Sequence, residues 1–380
     1  MTLRERIGQE ILQNGPIPFS RFMGLCLYDL ELGYYSRTAE RFGKAGDFYT
    51  SSDVHAVFGR LLARQFEEMW RTLGSPEQIE LLELGPGRGL FAQDVLDWSE
   101  KKFPGFSRAL QYTLVESSSA LQQKLQKSLP RYIESGKARL SRAGALQRVS
   151  APEVPIIVFA NEFFDALPVE IVGSEGELQI GLENGCFMEV WAPASTLELE
   201  FLDRYGVHPG VGERVEVPLV AQEYMASVAK LIQRGFVIVV DYGYNRHEQL
   251  AGRHRGTIMT YRQHSTGGSP YEAPGEQDIT AHVNFSALAG AAEQRGMVVE
   301  KLLTQSQFLM GIGEVNQFAD AFEDCRLPQE KAKVALQLKH LVTPAGIGES
   351  FHVLIASKGV DTTKISELSG LRFGRTEVIR

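Results

Sequence analysis

The 380-residue sequence has few cysteines and no long apolar run, and each absence excludes a class of protein. Its three cysteines, Cys26, Cys186 and Cys325, stand far apart in no paired spacing, which argues against a zinc site and against a disulfide framework. No apolar run approaches the roughly 20 residues of a membrane span, and the start MTLRERIGQEILQNG lacks the apolar core of a signal peptide. We expect a cytoplasmic protein in a reducing compartment, without a metal site or a membrane span.

The sequence also lacks an excess of basic residues. Lys and Arg total 39 against 47 Asp and Glu, a formal net charge of -8, so no large basic surface for nucleic-acid phosphates is expected. Hydrophobic residues make up 43% of the chain, which is enough for a large core. We therefore expect a globular protein whose partners do not include nucleic acid.

Short apolar runs alternate with helical patterns from Ile79 onward. The runs are IELLELG, YTLVE, PIIVFANE and FVIVVDYG, followed by GMVVEKLLT and FHVLIASKG near the C-terminus. Apolar runs that are bounded by turn residues and separated by helices predict a mostly parallel sheet with crossover helices. The predicted fold class is therefore α/β, with a doubly wound sheet.

Other patterns predict elements added to this sheet. We predict helices from Leu3 to Leu12 and from about Val54 to Trp70, and small hairpins where alternating residues and glycine-bearing turns follow Pro168. The predicted segments are an N-terminal cap with the GDFYTSS loop (1–75), the first half of the core (76–167), a β-rich insertion (168–232), and the second half of the core with a helical insertion at about 306–342 (233–380).

The stretch LLELGPGRGLF places Gly85, Gly87 and Gly89 between a predicted strand and a predicted helix. Glycine is required where the backbone adopts unusual dihedral angles or where a ligand touches the backbone. The third glycine comes one place too early for the dinucleotide pattern G-x-G-x-x-G. Glu83 would repel a pyrophosphate, but it suits a cofactor that carries an amino group and a sulfonium cation. The pattern therefore favours S-adenosylmethionine over a nicotinamide dinucleotide, with a purely structural tight turn as the competing interpretation.

A second acid, Glu116, follows the next apolar run in YTLVESSS. In nucleotide-binding α/β sheets an acid at this place binds the ribose hydroxyls, so we predict that Glu116 contacts the cofactor. The alternative is a solvated strand end. The GDFYTSS loop is predicted to act as a lid, in which Asp47 and Thr50 contact the cofactor.

The segment NEFFDALPVE continues from the apolar run PIIVFANE and is dense in polar and aromatic residues. Ligands of open α/β sheets bind outside the carboxyl ends of the strands, so we predict that Asn161, Glu162 and Asp165 form the catalytic group at the methyl acceptor. Phe163 and Phe164 either stack on a ligand or pack in the core. The segment lacks both prolines of the Asn-Pro-Pro-aromatic loop of amino methyltransferases, which disfavours methylation of DNA bases.

Three further residues remain open between a catalytic and a structural role. Asp241 and Tyr242 lie at the end of the apolar run FVIVVDYG and would form a wall of the site or a structural support. Histidine has an ordinary pKa in the range useful for a general base, which makes His282 a candidate, although a structural role is favoured.

Several motifs together resemble one known family, over about residues 15 to 358. They are GYYSR, GDFYTSS, ELGPGRG, NEFFDALPVE, VVDYGY and QDITAHVNF. The chain resembles the MidA family of S-adenosylmethionine-dependent methyltransferases, which includes the mitochondrial complex I assembly factor. The resemblance implies a class I methyltransferase fold, which is Rossmann-like, with S-adenosylmethionine as cofactor.

The resemblance also implies a protein arginine acceptor, since the mitochondrial member is understood to methylate an arginine of a complex I subunit. The implied partner is a protein, with a respiratory complex I subunit or its bacterial equivalent as the candidate. The family motifs begin almost at once, so we expect a bacterial-type cytoplasmic member without a mitochondrial leader, whereas eukaryotic relatives act in the mitochondrial matrix. Two alternatives stay open: a methyltransferase for a small molecule or another nucleophile, and a cofactor-binding assembly factor with low turnover.

Overall fold

The protein is described by a computed structural model that covers residues 1–37, 56–141, 153–252, 255–262 and 265–375. The α-helices are α1 (Leu3–Asn14), α2 (Phe19–Tyr28), α3 (Tyr34–Arg37), α4 (Ala56–Thr72), α5 (Leu90–Lys102), α6 (Pro104–Ala109), α7 (Ser119–Ser128), α8 (Pro130–Glu134), α9 (Thr196–Tyr205), α10 (Leu219–Leu231), α11 (Arg246–Leu250), α12 (Phe285–Glu293), α13 (Gln305–Glu314), α14 (Ala319–Phe322), α15 (Pro328–Val342) and α16 (Thr362–Ile365). A 3-10 helix follows at Ser369–Arg375.

The strands fall into three sheets. They are β1 (Ile17–Pro18), β2 (Ile79–Leu84), β3 (Leu110–Val115), β4 (Ala138–Ser141), β5 (Ile156–Asn161), β6 (Glu170–Gly173), β7 (Gly176–Glu183), β8 (Cys186–Ala192), β9 (Arg214–Val217), β10 (Gly235–Tyr244), β11 (Met259–Arg262), β12 (Ser265–Thr266), β13 (Asp278–Thr280), β14 (Val283–Asn284), β15 (Val298–Val299), β16 (Leu303–Thr304) and β17 (Phe351–Lys358).

The largest sheet has the order β15-β17-β10-β5-β2-β3-β4, with β14 paired to β10 and β16 paired to β17. Strands β4, β3, β2, β5 and β10 are parallel, whereas β17 runs antiparallel to β10. The chain moves outward from β2 through β3 to β4 and then returns to β5 on the other side of β2. This reversal leaves a crevice at the carboxyl ends of β2 and β5, where open α/β sheets bind their ligands. The predicted doubly wound α/β fold is confirmed.

The central strands are apolar on both faces because helices cover both sides of the sheet. In β5, Ile157 and Phe159 belong to one hydrophobic core with α4 and α5. Val158 and Ala160 belong to the other core with α10 and α12. A strand buried on both faces reads as a continuous apolar run, which explains why PIIVFANE shows no alternation.

The second sheet has the order β1-β7-β6-β9, with β8 paired to β7. It shares a core with α1 and α2, so the N-terminal helices pack on strands that come about 150 residues later in the chain. Ile17 of β1 is paired with Ile180 of β7. The inserted hairpin β7-β8 lies in the segment where hairpins were predicted, while the segment boundaries remain predictions.

The third sheet has the order β12-β11-β13, and its strand β13 contains residues of the QDITAHVNF motif. Strand β13 contains Asp278 and is followed by β14, which pairs in parallel with the end of β10. The motif is thereby held beside the carboxyl edge of the large sheet. Within the described ranges, no helix is long and apolar enough to cross a membrane.

Candidate active site

The glycine turn connects β2 to α5 at the crevice of the large sheet. Gly85, Gly87 and Gly89 all have positive φ, of 63°, 53° and 78°. A Cβ atom at Gly87 would meet nothing within 4 Å, so this residue faces open space, whereas one at Gly89 would lie 2.7 Å from Leu125. Gly87 therefore leaves bare backbone facing open space, and Gly89 allows the turn to pack against α7.

Glu83 lies one residue before the end of β2, and its side chain is buried in the sheet. The Tyr112 hydroxyl of β3 donates a hydrogen bond of 2.8 Å to its Oε2 atom. Burial raises the pKa of Glu83 to about 8, although the bond from Tyr112 opposes the rise. Glu83 is thus buried at the end of β2, two residues before Gly85, with its carboxyl bonded to the neighbouring strand.

Glu116 follows the carboxyl end of β3 and is 8% exposed. Its Oε1 atom accepts a hydrogen bond of 2.8 Å from the Ser118 backbone, and its carbonyl accepts one of 2.6 Å from Gln122. Burial raises the pKa of the carboxyl to about 7, and the Ser118 bond counteracts this effect. A pair of ribose hydroxyls donating to this carboxylate would favour its ionised form.

The NEFFD turn begins at Asn161, the last residue of β5. Glu162 has a φ of 50°, in the left-handed region that few non-glycine residues adopt. Its backbone N–H bonds to the Val240 carbonyl at 3.0 Å, and the Asn161 amide donates to its Oε1 at 3.1 Å. Backbone strain of this kind concentrates at functional sites, where the surrounding structure enforces it.

Asp165 is buried, and the Tyr242 hydroxyl donates a 2.5 Å hydrogen bond to its Oδ2 atom. Its Oδ1 atom has no hydrogen-bond partner among the described residues. Burial raises the pKa of Asp165 to about 7; the Tyr242 bond lowers it and the nearby Asp278 raises it. No helix follows before β6, so Asp165 does not cap one.

Asp241 supports the NEFFD turn from β10. It is fully buried, and its Oδ2 atom accepts hydrogen bonds from the backbone N–H groups of Phe164 at 3.1 Å and Asp165 at 3.3 Å. Its Oδ1 atom accepts a third from Tyr242 N–H at 2.9 Å. Burial and the neighbouring Asp165 raise its pKa. These bonds answer the open question for Asp241 in favour of a structural support.

The two phenylalanines of the turn differ in their surroundings. Phe164 is buried in the core, which is the packing role. The Phe163 ring lies against Gly85, where an added Cβ would be 2.9 Å away, and 5.0 Å from the Tyr224 ring. Phe163 thus links the NEFFD turn to the glycine turn.

The N-terminal helices bring two tyrosines to Asp165. The Tyr28 hydroxyl donates to the Ala166 carbonyl at 2.9 Å, and the Tyr28 and Tyr35 rings stack with centroids 5.5 Å apart. The Tyr35 hydroxyl in turn bonds to Asp278 Oδ1 at 3.1 Å. Sequence reasoning missed these residues, although GYYSR and QDITAHVNF were already recognised as family motifs.

Asp278 is a further carboxylate at the same place. It is 2% exposed, and the backbone N–H of Ile279 donates to its Oδ1 at 2.9 Å. Burial raises the pKa of Tyr261, and Asp165, Asp278 and Glu162 each add to the rise, so all three acids lie near this hydroxyl. The three acids and their tyrosines, Tyr28, Tyr35, Tyr242 and Tyr261, form what we term the acidic pocket.

His282 lies at the edge of the acidic pocket. Its ring forms an edge contact with Tyr242, with centroids 5.3 Å apart, and its backbone N–H bonds to Thr257 at 3.1 Å. The structure therefore places it beside a site residue and leaves its role open. Asp47 and Thr50 of the GDFYTSS loop lie outside the described residues.

Comparisons with known proteins agree with this geometry. Residues 61–303 match a family described as S-adenosyl-L-methionine-dependent methyltransferases. The chain is 30% identical to the mitochondrial protein arginine methyltransferase NDUFAF7 homolog of Drosophila melanogaster, over 94% of this chain and 85% of that protein. It is 28% identical to the mitochondrial protein arginine methyltransferase NDUFAF7 of Danio rerio, over 92% of this chain and 85% of that protein.

A solved structure supports the same assignment. A Burkholderia thailandensis protein bound to S-adenosyl-homocysteine superposes with a TM-score of 0.82 and 27% identity, covering 97% of this chain and 94% of that chain. S-adenosyl-homocysteine is what remains of S-adenosylmethionine after methyl transfer, so the predicted cofactor is confirmed. The resemblance drawn from the motifs is confirmed as well: the chain belongs to this family of S-adenosylmethionine-dependent methyltransferases.

Proposed function

We propose that the protein transfers a methyl group from S-adenosylmethionine to the side chain of a protein arginine. The observation that carries the proposal is the acidic pocket, in which Glu162, Asp165 and Asp278 all lie near enough to Tyr261 to raise its pKa. The Ala281 N–H, three residues after Asp278, donates to the Asp165 carbonyl at 2.9 Å and holds the two segments together. A guanidinium is planar and always charged, and carboxylates bind it through paired, charge-assisted hydrogen bonds. The curated relatives are named protein arginine methyltransferases, which supports the same acceptor.

The residues fit the cofactor in two places. Gly87 presents bare backbone to open space, and Glu116 ends the neighbouring strand with a carboxylate suited to ribose hydroxyls. We propose that Glu83, Gly85, Gly87, Gly89 and Glu116 line the cofactor. Asp47 and Thr50 remain predicted cofactor contacts.

The bound cofactor supplies a methyl group on a sulfonium sulfur. The attacking arginine nitrogen forms the new N–C bond as the S–C bond breaks, and the nitrogen must then give up a proton. Asp165 is suited to accept it, because a carboxyl with a pKa of about 7 is about half ionised at neutral pH and is basic enough to take a proton. Glu162, Asp278 and Asn161 orient the guanidinium, and Tyr242 holds Asp165 in place.

The proposal includes a cytoplasmic protein partner. A complex I subunit or its bacterial equivalent is the candidate that the family resemblance supplies. The acidic pocket is an unfavourable environment for nucleic-acid phosphates, which supports a protein acceptor over DNA.

The test is a cell lysate incubated with the purified protein and isotope-labelled S-adenosylmethionine, followed by mass spectrometry. We expect labelled methylarginine in a protein. Asp165→Asn and Asp278→Asn should reduce the label, whereas Asp203→Asn, on the exposed end of α9, should not. Label in a small molecule, or cofactor binding without any label, would replace the proposal with one of its two alternatives.

A further inference from the structure

A second group of carboxylates lies in the β-rich sheet, separate from the acids of the acidic pocket. Glu170 begins β6, Glu177 lies near the start of β7, and Glu198 lies in the first turn of α9. One oxygen atom from each carboxylate lies within 4.8 Å of the others. Three acids from three elements therefore converge on one point.

The fold positions Glu198 for this convergence. The Ser195 N–H donates a hydrogen bond of 2.5 Å to Glu198 Oε2, and the Ser195 hydroxyl accepts one from Glu198 N–H, which forms a capping box. The cap uses only one of the two carboxylate oxygens. Glu198 is 1% exposed, and its Oε1 atom has no hydrogen-bond partner among the described residues. A buried carboxylate oxygen without a donor is unfavourable, so the arrangement points to a missing ligand.

The other two carboxylates bring further negative charge. Ser20, at the start of α2, donates to both oxygens of Glu170, from its backbone N–H at 3.2 Å and from its hydroxyl. In the described part of the chain, none of the three acids forms an ion pair with a lysine or an arginine. Burial, together with the charges of Glu198 and Glu170, raises the pKa of Glu177 to about 7. The cluster thus has neutral donors but no counter-charge.

We propose that Glu170, Glu177 and Glu198 bind a hard divalent cation, and that this ion is Ca²⁺. Carboxylate oxygens are the ligands such ions prefer, whereas zinc and copper favour nitrogen and sulfur. Two oxygens bound to one Ca²⁺ at about 2.3–2.6 Å lie at most about 5 Å apart. Three carboxylate oxygens that all lie within 4.8 Å of one another are compatible with that spacing. Mg²⁺ demands near-ideal octahedral geometry at about 2.0–2.1 Å and gives up its waters reluctantly, so three carboxylates from separate elements suit Ca²⁺ better.

The ion would join the β-rich sheet to the N-terminal helices. Glu170 and Glu177 belong to neighbouring strands, Glu198 to the helix that follows, and Ser20 to α2. Strands β6 and β7 share a hydrophobic core with α2 and with Tyr34 of α3, next to the tyrosines of the acidic pocket. Calcium would therefore raise the stability of the folded protein by mass action.

The test uses the full chain after treatment with EDTA and dialysis. Titration calorimetry with CaCl₂ is expected to show one ion per chain and weaker binding of MgCl₂. The melting temperature should rise by a few degrees and then saturate, as expected for a ligand that binds only the folded state. A wild-type protein that binds neither ion at millimolar concentration overturns the proposal, and tighter binding of Mg²⁺ overturns the assignment to calcium.

Two matched variants assign the site. Glu177→Gln keeps the side-chain size and removes one charge, so we expect at least tenfold weaker calcium binding and no loss of stability without the ion. Glu183→Gln makes the same change at the exposed end of β7 and should bind calcium as the wild type does. Equal binding by the wild type and Glu177→Gln would show that the ion sits elsewhere and would overturn the proposal.

Discussion

Replacing Asp165 by asparagine should change stability and activity in opposite directions at neutral pH. The carboxyl has an ordinary pKa of 3.8, and burial raises it to about 7 in the folded protein. The folded state therefore binds a proton between these two pH values that the unfolded state has already lost. As pH rises through this window, the unfolded state is stabilised by releasing the proton that the folded Asp165 keeps, so the free energy of unfolding falls until the folded carboxyl also ionises near pH 7.

The size of this effect follows from the pKa change. A rise from 3.8 to about 7 corresponds to a destabilisation on the order of 4 kcal/mol once the carboxyl is ionised, since one pKa unit equals about 1.4 kcal/mol. Asparagine does not ionise and escapes this penalty. Its amide carries one more donor than a protonated carboxyl, and Oδ1 has no partner among the described residues, so burying the extra donor costs about 1–3 kcal/mol.

The two terms predict a change of sign with pH. At pH 4 we expect Asp165→Asn to be less stable than the wild type by about 1–3 kcal/mol, and at pH 8 to be more stable by a similar amount. Urea unfolding at both pH values measures the difference. Methyl transfer should fall by about a hundredfold or more, because the variant lacks the base, while the affinity for S-adenosyl-homocysteine stays unchanged.

Two results would refute this reasoning. Wild-type turnover in Asp165→Asn, with normal folding, would remove Asp165 from the chemistry. A stability difference between variant and wild type that is the same at pH 4 and pH 8 would mean that Asp165 does not titrate in this range.

Three further changes test the rest of the site. Gly87→Val should abolish binding of S-adenosyl-homocysteine, as measured by calorimetry. Gly212 also has positive φ and open space around it, so Gly212→Val is the control: it should carry similar backbone strain and still bind. Glu116→Gln should weaken that binding by about tenfold, or about 1.4 kcal/mol, through the loss of charge-assisted bonds to the ribose, and unchanged affinity would exclude the contact. Tyr35→Phe removes the hydroxyl that holds Asp278 and should raise the KM for the acceptor without changing cofactor affinity; an unchanged KM would contradict the role of the pocket.

The sequence alone determined the features that depend on residues close together along the chain. Apolar runs of about six residues predicted the central strands, because a strand covered by helices on both faces must be apolar throughout. The spacing of Gly85, Gly87 and Gly89 predicted the cofactor, because a turn with positive φ needs glycine at these places. Motif resemblance supplied the family and pointed to NEFFDALPVE.

Only the tertiary structure decided which distant residues share a site. Tyr35 and Asp278 are 243 positions apart, and they meet because the N-terminal helices pack on the β-rich sheet while β13 lies beside the carboxyl edge of the large sheet. The same packing places Ser20 on Glu170, 150 positions later. Local periodicity tells which face of an element is buried. It does not tell which element covers that face, since that choice depends on the packing of all the elements together.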